Sequence, residues 1–226
     1  MKLRYFGHSC FSVNLDGKHL LFDPFITPNS RAKHIDISII PADFILVSHG
    51  HEDHVADVVA IAQRTGATVI ANYEVALWFN KRGVEKIHPM NHGGWAMFDF
   101  GPVKFTPAIH SSSMPDGSYG GNPGGFLVES REGNFYYSGD TALTMDLKLI
   151  GECSKLKFAA LCIGDNFTMG TDDAVKAADY LRCKEILGVH YDTFPPIVID
   201  HSVAKEKFKA AGKNLHLLPV GETHDF

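Results

Sequence analysis

Residues 44–54 read Phe-Ile-Leu-Val-Ser-His-Gly-His-Glu-Asp-His, an apolar run of strand length that breaks off at Ser48 into three histidines and an aspartate. Such a run, rich in branched and aromatic residues and bounded by polar ones, suits a buried strand. His49, His51, Asp53 and His54 then follow in the pattern H-x-H-x-D-H. Imidazole nitrogen and carboxylate oxygen are both good ligands for zinc and related divalent ions, and four of them this close converge only if the backbone wraps round one point. A strand end leading into a helix permits that wrapping. Polar groups at strand ends are also where α/β architectures place their sites.

The remaining pattern supplies a matching set of elements. Leu3 and Tyr5, then Phe11, Val13 and Leu15, alternate with polar residues and turn at Asp16-Gly17 into Leu20-Leu21-Phe22, a strong hairpin signal. The spacing of Val55, Val58, Val59 and Ala62 predicts an amphipathic helix from Val55 that ends at Thr65-Gly66, followed by a buried strand over 67–71. A second helix is predicted over 73–82 and two strands over 95–109, joined at Phe100-Gly101-Pro102. His110 to Gly125 is rich in Ser and Gly and reads as a long loop, a feature that in a compact domain usually carries function. Strands are predicted at 126–130, 134–138, 158–163 and 185–189. Helices are predicted after Thr144, over 171–182 with Thr171 as N-cap, and from near Ser202 with His201 helping to cap it. Each half of the chain has antiparallel strands followed by strand–helix units. No linker, low-complexity segment or short repeat interrupts residues 1–226, so one domain is expected.

Composition narrows the function classes. With 226 residues, 45% hydrophobic and 21% charged, the chain has an ordinary globular profile. Its net charge of -5 gives no general attraction for nucleic acid, which rests on Lys and Arg. No apolar run approaches the roughly 18 residues of a membrane helix. Lys2 and Arg4 lie near the start as in a signal peptide, but His8, Asn14 and Asp16 interrupt its apolar segment, and the expected location is cytoplasmic. Cys10, Cys153, Cys162 and Cys183 are scattered without a C-x-x-C pair, so they are expected to be reduced and mostly buried. The 13 histidines, set against 21 Lys and Arg, point towards metal or acid–base chemistry.

H-x-H-x-D-H is accompanied by Gly7-His8-Ser9, Leu21-Phe22-Asp23-Pro24, Ala108-Ile109-His110-Ser111, Ser138-Gly139-Asp140-Thr141, the run from Ile163 to Gly170, and Val189-His190-Tyr191. In these motifs, their order and their spacing, the chain resembles the metallo-β-lactamase superfamily over nearly its whole length. Within it, the likeness is to a branch of small metal-dependent hydrolases related to the ascorbate-6-phosphate lactonases. The resemblance implies an α/β (α+β) fold, the αββα four-layer sandwich, with two metal ions at one edge of its sheets. It implies His49, His51 and His110 as ligands of the first ion, Asp53, His54 and His190 as ligands of the second, and Asp140 as the bridge. Zinc is the expected metal, with manganese, iron and nickel as alternatives.

Such a pair of ions makes a bridging hydroxide available as nucleophile at neutral pH, so no Ser or Cys nucleophile is needed. Asp53 is expected to orient it and to pass a proton to the leaving group. His8 either lines the cavity and meets the substrate or is a buried structural histidine. Asp23 is either the acceptor for a ligand histidine's second N–H or a turn residue before Pro24. The resemblance also brings Asp165 and Thr168 near the metals, and Ser111, Ser112 and Ser113 are candidate donors to an anionic substrate. The expected activity is hydrolysis of a small ester, lactone or phosphoester. The alternatives are a phosphodiesterase or nuclease, which in this superfamily adds an RNA-gripping arm or domain, a flavin-linked di-iron oxidoreductase, and a non-catalytic metal-binding protein. The expected partner is a small molecule, with no membrane or nucleic acid, and related lactonases set a precedent for a homo-oligomer.

Overall fold

A computed structural model describes residues 1–226. The first half comprises strands β1 (Lys2–Gly7), β2 (Cys10–Leu15), β3 (Lys18–Phe22) and β4 (Phe44–Leu46), helices α1 (Glu52–Val55) and α2 (Val58–Thr65), strand β5 (Thr68–Asn72), helix α3 (Tyr73–Asn80) and strand β6 (Ile87–Met90). The second half comprises β7 (Trp95–Phe98), β8 (Gly101–Pro107), β9 (Gly124–Val128), β10 (Asn134–Tyr137), α4 (Asp146–Cys153), β11 (Leu156–Cys162), α5 (Thr171–Tyr180), β12 (Glu185–Val189), α6 (His201–Ala210), β13 (Asn214–His216) and β14 (Thr223–Asp225).

These strands form two seven-stranded sheets, ordered β14-β1-β2-β3-β4-β5-β6 and β13-β12-β11-β10-β9-β8-β7. Each sheet combines an antiparallel meander with a parallel run. The meander ends at β3 in the first sheet and at β10 in the second, and the parallel strands continue from there. The duplicated pattern of the two halves is thus a duplicated sheet topology.

Alternation along the strands sorts apolar side chains into separate layers. Between the sheets lie Phe11, Val13, Leu20, Phe22, Phe105, Phe126, Phe135, Tyr137 and Phe158. Outside the first sheet, Leu21, Ile45 and Val69 pack against Val58, Ile61, Val75 and Phe79 of α2 and α3. Outside the second, Tyr136, Ala159, Leu161 and Ile186 pack against Leu147, Ala174, Ala177, Ala178 and Phe208 of α4, α5 and α6. The result is an αββα four-layer sandwich.

The strand signals were strongest where a strand is central. β6 carries Pro89, which removes a ladder donor, and it lies at a sheet edge where that loss is tolerated. The three-residue β13 and β14 are too short to show a period, and they too lie at edges. Asp16 and Gly17 both have positive φ, 48° and 80°, as a two-residue hairpin turn of the primed type requires. The helix expected from Val55 instead starts at Glu52 and is interrupted around Asp57, whose carboxylate accepts the N–H groups of Ile26 and Thr27 at 2.6 and 2.9 Å. Asp53 and His54 therefore sit on a helical turn. The N-cap of α5 is Gly170, with Thr171 as its first residue, and α6 is capped by the Asp200 carboxylate, not by His201. Cys10, Cys162 and Cys183 are buried, whereas Cys153 is exposed.

Strand direction gathers the chemistry at one edge of each sheet. β1, β3 and β4 run the same way in the first sheet, and β8, β10 and β12 run the same way in the second. His8, Asp23, the 49–54 motif, His110, Asp140 and His190 each follow the C-terminal end of one of those six strands.

Phe22 is central to the inter-sheet layer, stacked on Phe11 at 4.5 Å and edge-on to Tyr137, Phe135 and Phe126 at 5.7 to 6.3 Å. Phe22→Ala is expected to lower the unfolding free energy by about 3–5 kcal/mol in urea denaturation. A loss under about 1 kcal/mol would show that the two sheets close over the missing ring.

Candidate metal centre

The Asp23 carboxylate forms the floor of the site. It is fully buried and accepts four hydrogen bonds: from the Ser48 N–H at 2.8 Å, the Ser48 hydroxyl at 2.6 Å, His54 Nδ1–H at 2.7 Å and the Tyr137 hydroxyl. With Nδ1 held as the donor, Nε2 of His54 faces the cluster.

Above that floor the side chains fall into two groups. His49, His51 and His110 bring one ring nitrogen each to within 4.8 Å of one another, and His8, Asp53, His54 and His190 do the same with their own ligand atoms. Asp140 joins the groups. Its Oδ2 lies 2.9 Å from His190 Nε2, 3.2 Å from His54 Nε2 and 3.7 Å from His110 Nε2. Asp23, His49 and His54 also satisfy the same distance criterion, but the four bonds already accepted by Asp23 occupy its oxygens and leave it a supporting role.

The backbone reaches these positions through unusual corners. His8, Asp23 and His190 have φ of 54°, 39° and 56°, a left-handed conformation that is uncommon for residues with a Cβ and clusters at functional sites. The His190 N–H donates to the His8 carbonyl at 3.0 Å and the Gly124 N–H to the Ser48 carbonyl at 3.0 Å, so the corners of the two sheets are tied directly to each other. Gly139, just before Asp140, has φ 59°, and a Cβ there would lie 2.4 Å from the Gly124 carbonyl oxygen.

Burial and the neighbouring charges together set the protonation states. Burial pushes His49, His51 and His110 below the ordinary imidazole pKa, with His54 adding at each and Asp140 opposing, which favours the neutral ring with a lone pair to offer. Burial likewise pushes His8 down to about 4, with the charges of His190 and His54 adding and Asp53 opposing. At His54, burial works against the imidazolium, but Asp140, Asp53 and Asp23 outweigh it and hold the pKa well above the usual value. Burial also opposes the carboxylates of Asp53 and Asp140. Facing histidines, His54 and His8 for the first and His190 and His54 for the second, nonetheless hold both well below the usual range.

A profile of the β-lactamase superfamily domain matches residues 18–191. The chain belongs to that family. It is 51% identical over 224 residues to a UPF0173 metal-dependent hydrolase of Christiangramia forsetii and 50% identical over 223 residues to one of Methylacidiphilum infernorum, with 99% of each chain covered in both cases. Among solved structures it is similar to Igni18, a metallo hydrolase from the hyperthermophilic archaeon Ignicoccus hospitalis. The identity is 34% and the TM-score 0.89, covering 100% of this chain and 98% of that one. The protein is a metal-dependent hydrolase with the metallo-β-lactamase fold.

The hydrolase's own donor set fits such an ion. Asp140 Oδ1 is buried without a hydrogen-bond partner, and the buried His54 Nε2, 3.2 Å from Asp140 Oδ2, makes no aligned hydrogen bond there, a costly state for polar atoms in side chains that join the two groups. His49 Nε2 and His51 Nδ1 lie 2.9 Å apart.

Residues outside the ligand groups divide by their contacts. Ser111 Oγ is 3.4 Å from His51 Nε2. Ser112 turns inward, accepting the Gly50 N–H at 3.1 Å and donating to the Gly120 carbonyl at 2.8 Å, and Ser113 forms a bridge with Tyr119. Asp165 is exposed, and its carboxylate accepts the Asn166 N–H at 2.8 Å, which serves its own turn. The Thr168 hydroxyl reaches the Met169 carbonyl at 3.4 Å, and this loop meets the centre through Met169 N–H, which donates to the carbonyl of Thr141. Neither Asp165 nor Thr168 joins a ligand group. The long loop is anchored by Met114, which is 2% exposed.

Sequence reasoning missed Ser48, Tyr137 and Thr193. Ser48 stood inside the motif, where its position was the available signal. Tyr137 reads as one more core residue of a strand, and nothing local marks Thr193, whose hydroxyl lies 3.0 Å from His8 Nδ1.

Asp23→Asn keeps the shape of the floor but weakens its acceptance of the His54 proton, and is expected to lower metal affinity by roughly 10- to 100-fold with the fold retained. Asp23→Ala leaves buried donors unpaired and is expected to cost about 3–5 kcal/mol of stability as well. Chelator competition and urea unfolding read the two effects, and unchanged affinity in Asp23→Asn would remove Asp23 from the support of the centre.

Proposed function

We propose that the protein is a dinuclear hydrolase of a small ester, lactone or phosphoester. The observation that carries this reading is the convergence of three imidazoles from two separate ligand groups on one carboxylate oxygen of Asp140. His49, His51 and His110 would hold one ion, Asp53, His54 and His190 the other, and Asp140 would be shared. A nitrogen- and oxygen-donor set of this kind suits zinc, and manganese, iron and nickel also accept it.

The chemistry that two divalent ions would supply there is an activated water at neutral pH and polarisation of the substrate oxygen. The protein's own groups do the rest. Asp140, 2% exposed and flanked by histidines, is a rigid shared acceptor whose charge is compensated on both sides. Asp53 is the more open carboxylate, its side chain 25% exposed, and is held ionised by His54 and His8. That combination suits a group that orients the attacking water and passes a proton to the leaving group. His51 and His110 are half-buried, so the substrate's approach is from their side. No Ser or Cys is needed as nucleophile.

A net charge of -5 and the absence of an RNA-gripping insert favour a small-molecule substrate over nucleic acid. Four unpaired cysteines fit a reducing compartment, and a cytoplasmic setting accords with them; no helix is long and apolar enough to cross a membrane.

Protein purified without chelator is expected to carry about two equivalents of divalent metal, and His51→Ala and Asp140→Ala to carry fewer. Metal near zero, or unchanged content in both variants, would defeat the dinuclear reading. With metal present, a panel of lactones, thioesters, carboxylic esters, phosphomonoesters and phosphodiesters is expected to show cleavage of at least one small carboxylic acid derivative or phosphomonoester. Cleavage confined to phosphodiesters would move the protein to the nuclease reading.

A further inference from the structure

His8 sits between two features that are remote in sequence. Its Nε2 lies 3.0 Å from Asp53 Oδ2, and its Nδ1 lies 3.0 Å from the hydroxyl oxygen of Thr193. The ring is wholly buried, with Phe25 and Phe194 edge-on at 5.6 and 5.5 Å and the rings of His54 and His190 at 5.5 and 4.3 Å. The backbone is fixed as well, since the His8 carbonyl accepts the Tyr5 hydroxyl at 2.9 Å and the His190 N–H at 3.0 Å.

What the packing leaves open is which ring nitrogen carries the proton and which way the ring faces. An ionised carboxylate can only accept, so the contact with Asp53 requires the proton on Nε2. A neutral ring then has a bare lone pair on Nδ1, and the Thr193 hydroxyl is the group within hydrogen-bond distance that can donate to it. The same hydroxyl oxygen is 3.3 Å from the Tyr191 carbonyl, a longer contact. Rotating the ring by half a turn would put carbon against both Asp53 and Thr193 and lose both bonds.

We propose that Thr193 is a positioning residue for Asp53, acting through His8: the Thr193 hydroxyl fixes the Nε2–H form of His8, and that N–H fixes the rotamer in which Asp53 faces His54 and His190. On this assignment His8 is a donor to a metal-ligating carboxylate, although its nitrogen lies within ligand distance of the second group. Thr193 is well placed to act without supporting the fold. It is half-buried, it follows the left-handed corner at Asp192, and it lines a cavity of about 180 Å³ with Arg31, Asp192, His201 and Tyr191. The 192–201 segment is held by other bonds: Asp192 accepts the Ile199 N–H at 3.1 Å and binds His201 Nε2 at 2.7 Å.

The inference rests on the two-metal reading, and cobalt(II) titration of the metal-depleted full chain tests both separately. Two stepwise dissociation constants are read by absorption and chelator competition for wild type, Thr193→Val and Thr193→Ser. Thr193→Val keeps the shape and removes the hydroxyl, and is expected to weaken one of the two equivalents by roughly ten-fold or more while leaving the other within about two-fold. Thr193→Ser restores the donor and is expected to match wild type in both constants and thermal midpoint, whereas the hydroxyl-free variant leaves the buried His8 Nδ1 unpaired and is expected to stay cooperatively folded with a midpoint a few degrees lower. Thr193→Ala serves as a second hydroxyl-free variant with the same expected result. Two equivalents with unchanged constants in the Val and Ala variants, equal weakening of both equivalents, or a Ser variant that behaves like Val would each overturn the role of Thr193. A wild type that takes up only one equivalent would overturn the two-metal reading and the inference with it.

Discussion

One buried carboxylate holds this molecule's site together. Asp23 accepts hydrogen bonds from Ser48, His54 and Tyr137, and these come from just past the end of β4, from α1 and from the opposite sheet. An unpaired charge at that depth would be prohibitively costly, so the four donors are a condition of the fold. The same four bonds orient His54 and fix the backbone at Ser48, from which the metal motif departs. Folding and preparation of the candidate centre therefore share one interaction: the two sheets meet through the Tyr137 hydroxyl at the spot where the first candidate ligands leave their strand.

The second constraint is geometric. Six strands pointing the same way within their sheets deliver His8, Asp23, the 49–54 motif, His110, Asp140 and His190 to a common edge. Delivery to an edge gives proximity to several ångströms, whereas a metal site needs ligand atoms placed within a few tenths. The left-handed corners at His8, Asp23 and His190 turn the chain at the ends of three of these strands, one presenting a candidate ligand and two presenting groups that bond to candidate ligands. Such corners persist where the surrounding structure over-determines them. Here the His190 N–H bound to the His8 carbonyl makes two of the three corners support one another across the sheets.

How much of this was legible in the sequence follows from the range of each interaction. Central strands such as 44–46 and 185–189 announce themselves because both faces are buried and the run is continuously apolar. The H-x-H-x-D-H cluster is legible because its residues are neighbours. His110, Asp140 and His190 become visible through their position just past an apolar run, so the ligand groups that assemble in space could be proposed from order along the chain. The edge strands at 87–90, 214–216 and 223–225 carry too few buried positions for a period to appear. The interactions that orient the ligands are the least legible: the Tyr137–Asp23 bond spans 114 residues and the Thr193–His8 bond 185. A tyrosine in a strand carries no mark of where its hydroxyl points.

The division between legible and illegible residues also separates two physical tasks. Ligand atoms must be of a particular chemical type, so they leave a compositional trace, and 13 histidines in 226 residues is such a trace even when only some of them meet at the centre. Orienting groups need only donate or accept one proton at the right place. Ser48 and Tyr137 do this for Asp23 with side chains that are common in any protein, and for the same reason a hydroxyl such as that of Thr193 stands out only once the fold is known. His216 and His224 show the converse: their rings approach within 4.4 Å beside Glu185, yet Glu185 already binds His216 Nε2 at 2.7 Å and the Asn214 amide at 2.6 Å. His216 is satisfied by that bond, and His224 packs against His216 and Phe226 where two sheet edges meet. At the candidate metal centre, buried imidazole and carboxylate atoms are left without aligned hydrogen bonds, and that unmet demand sets this histidine cluster apart from one that is merely close.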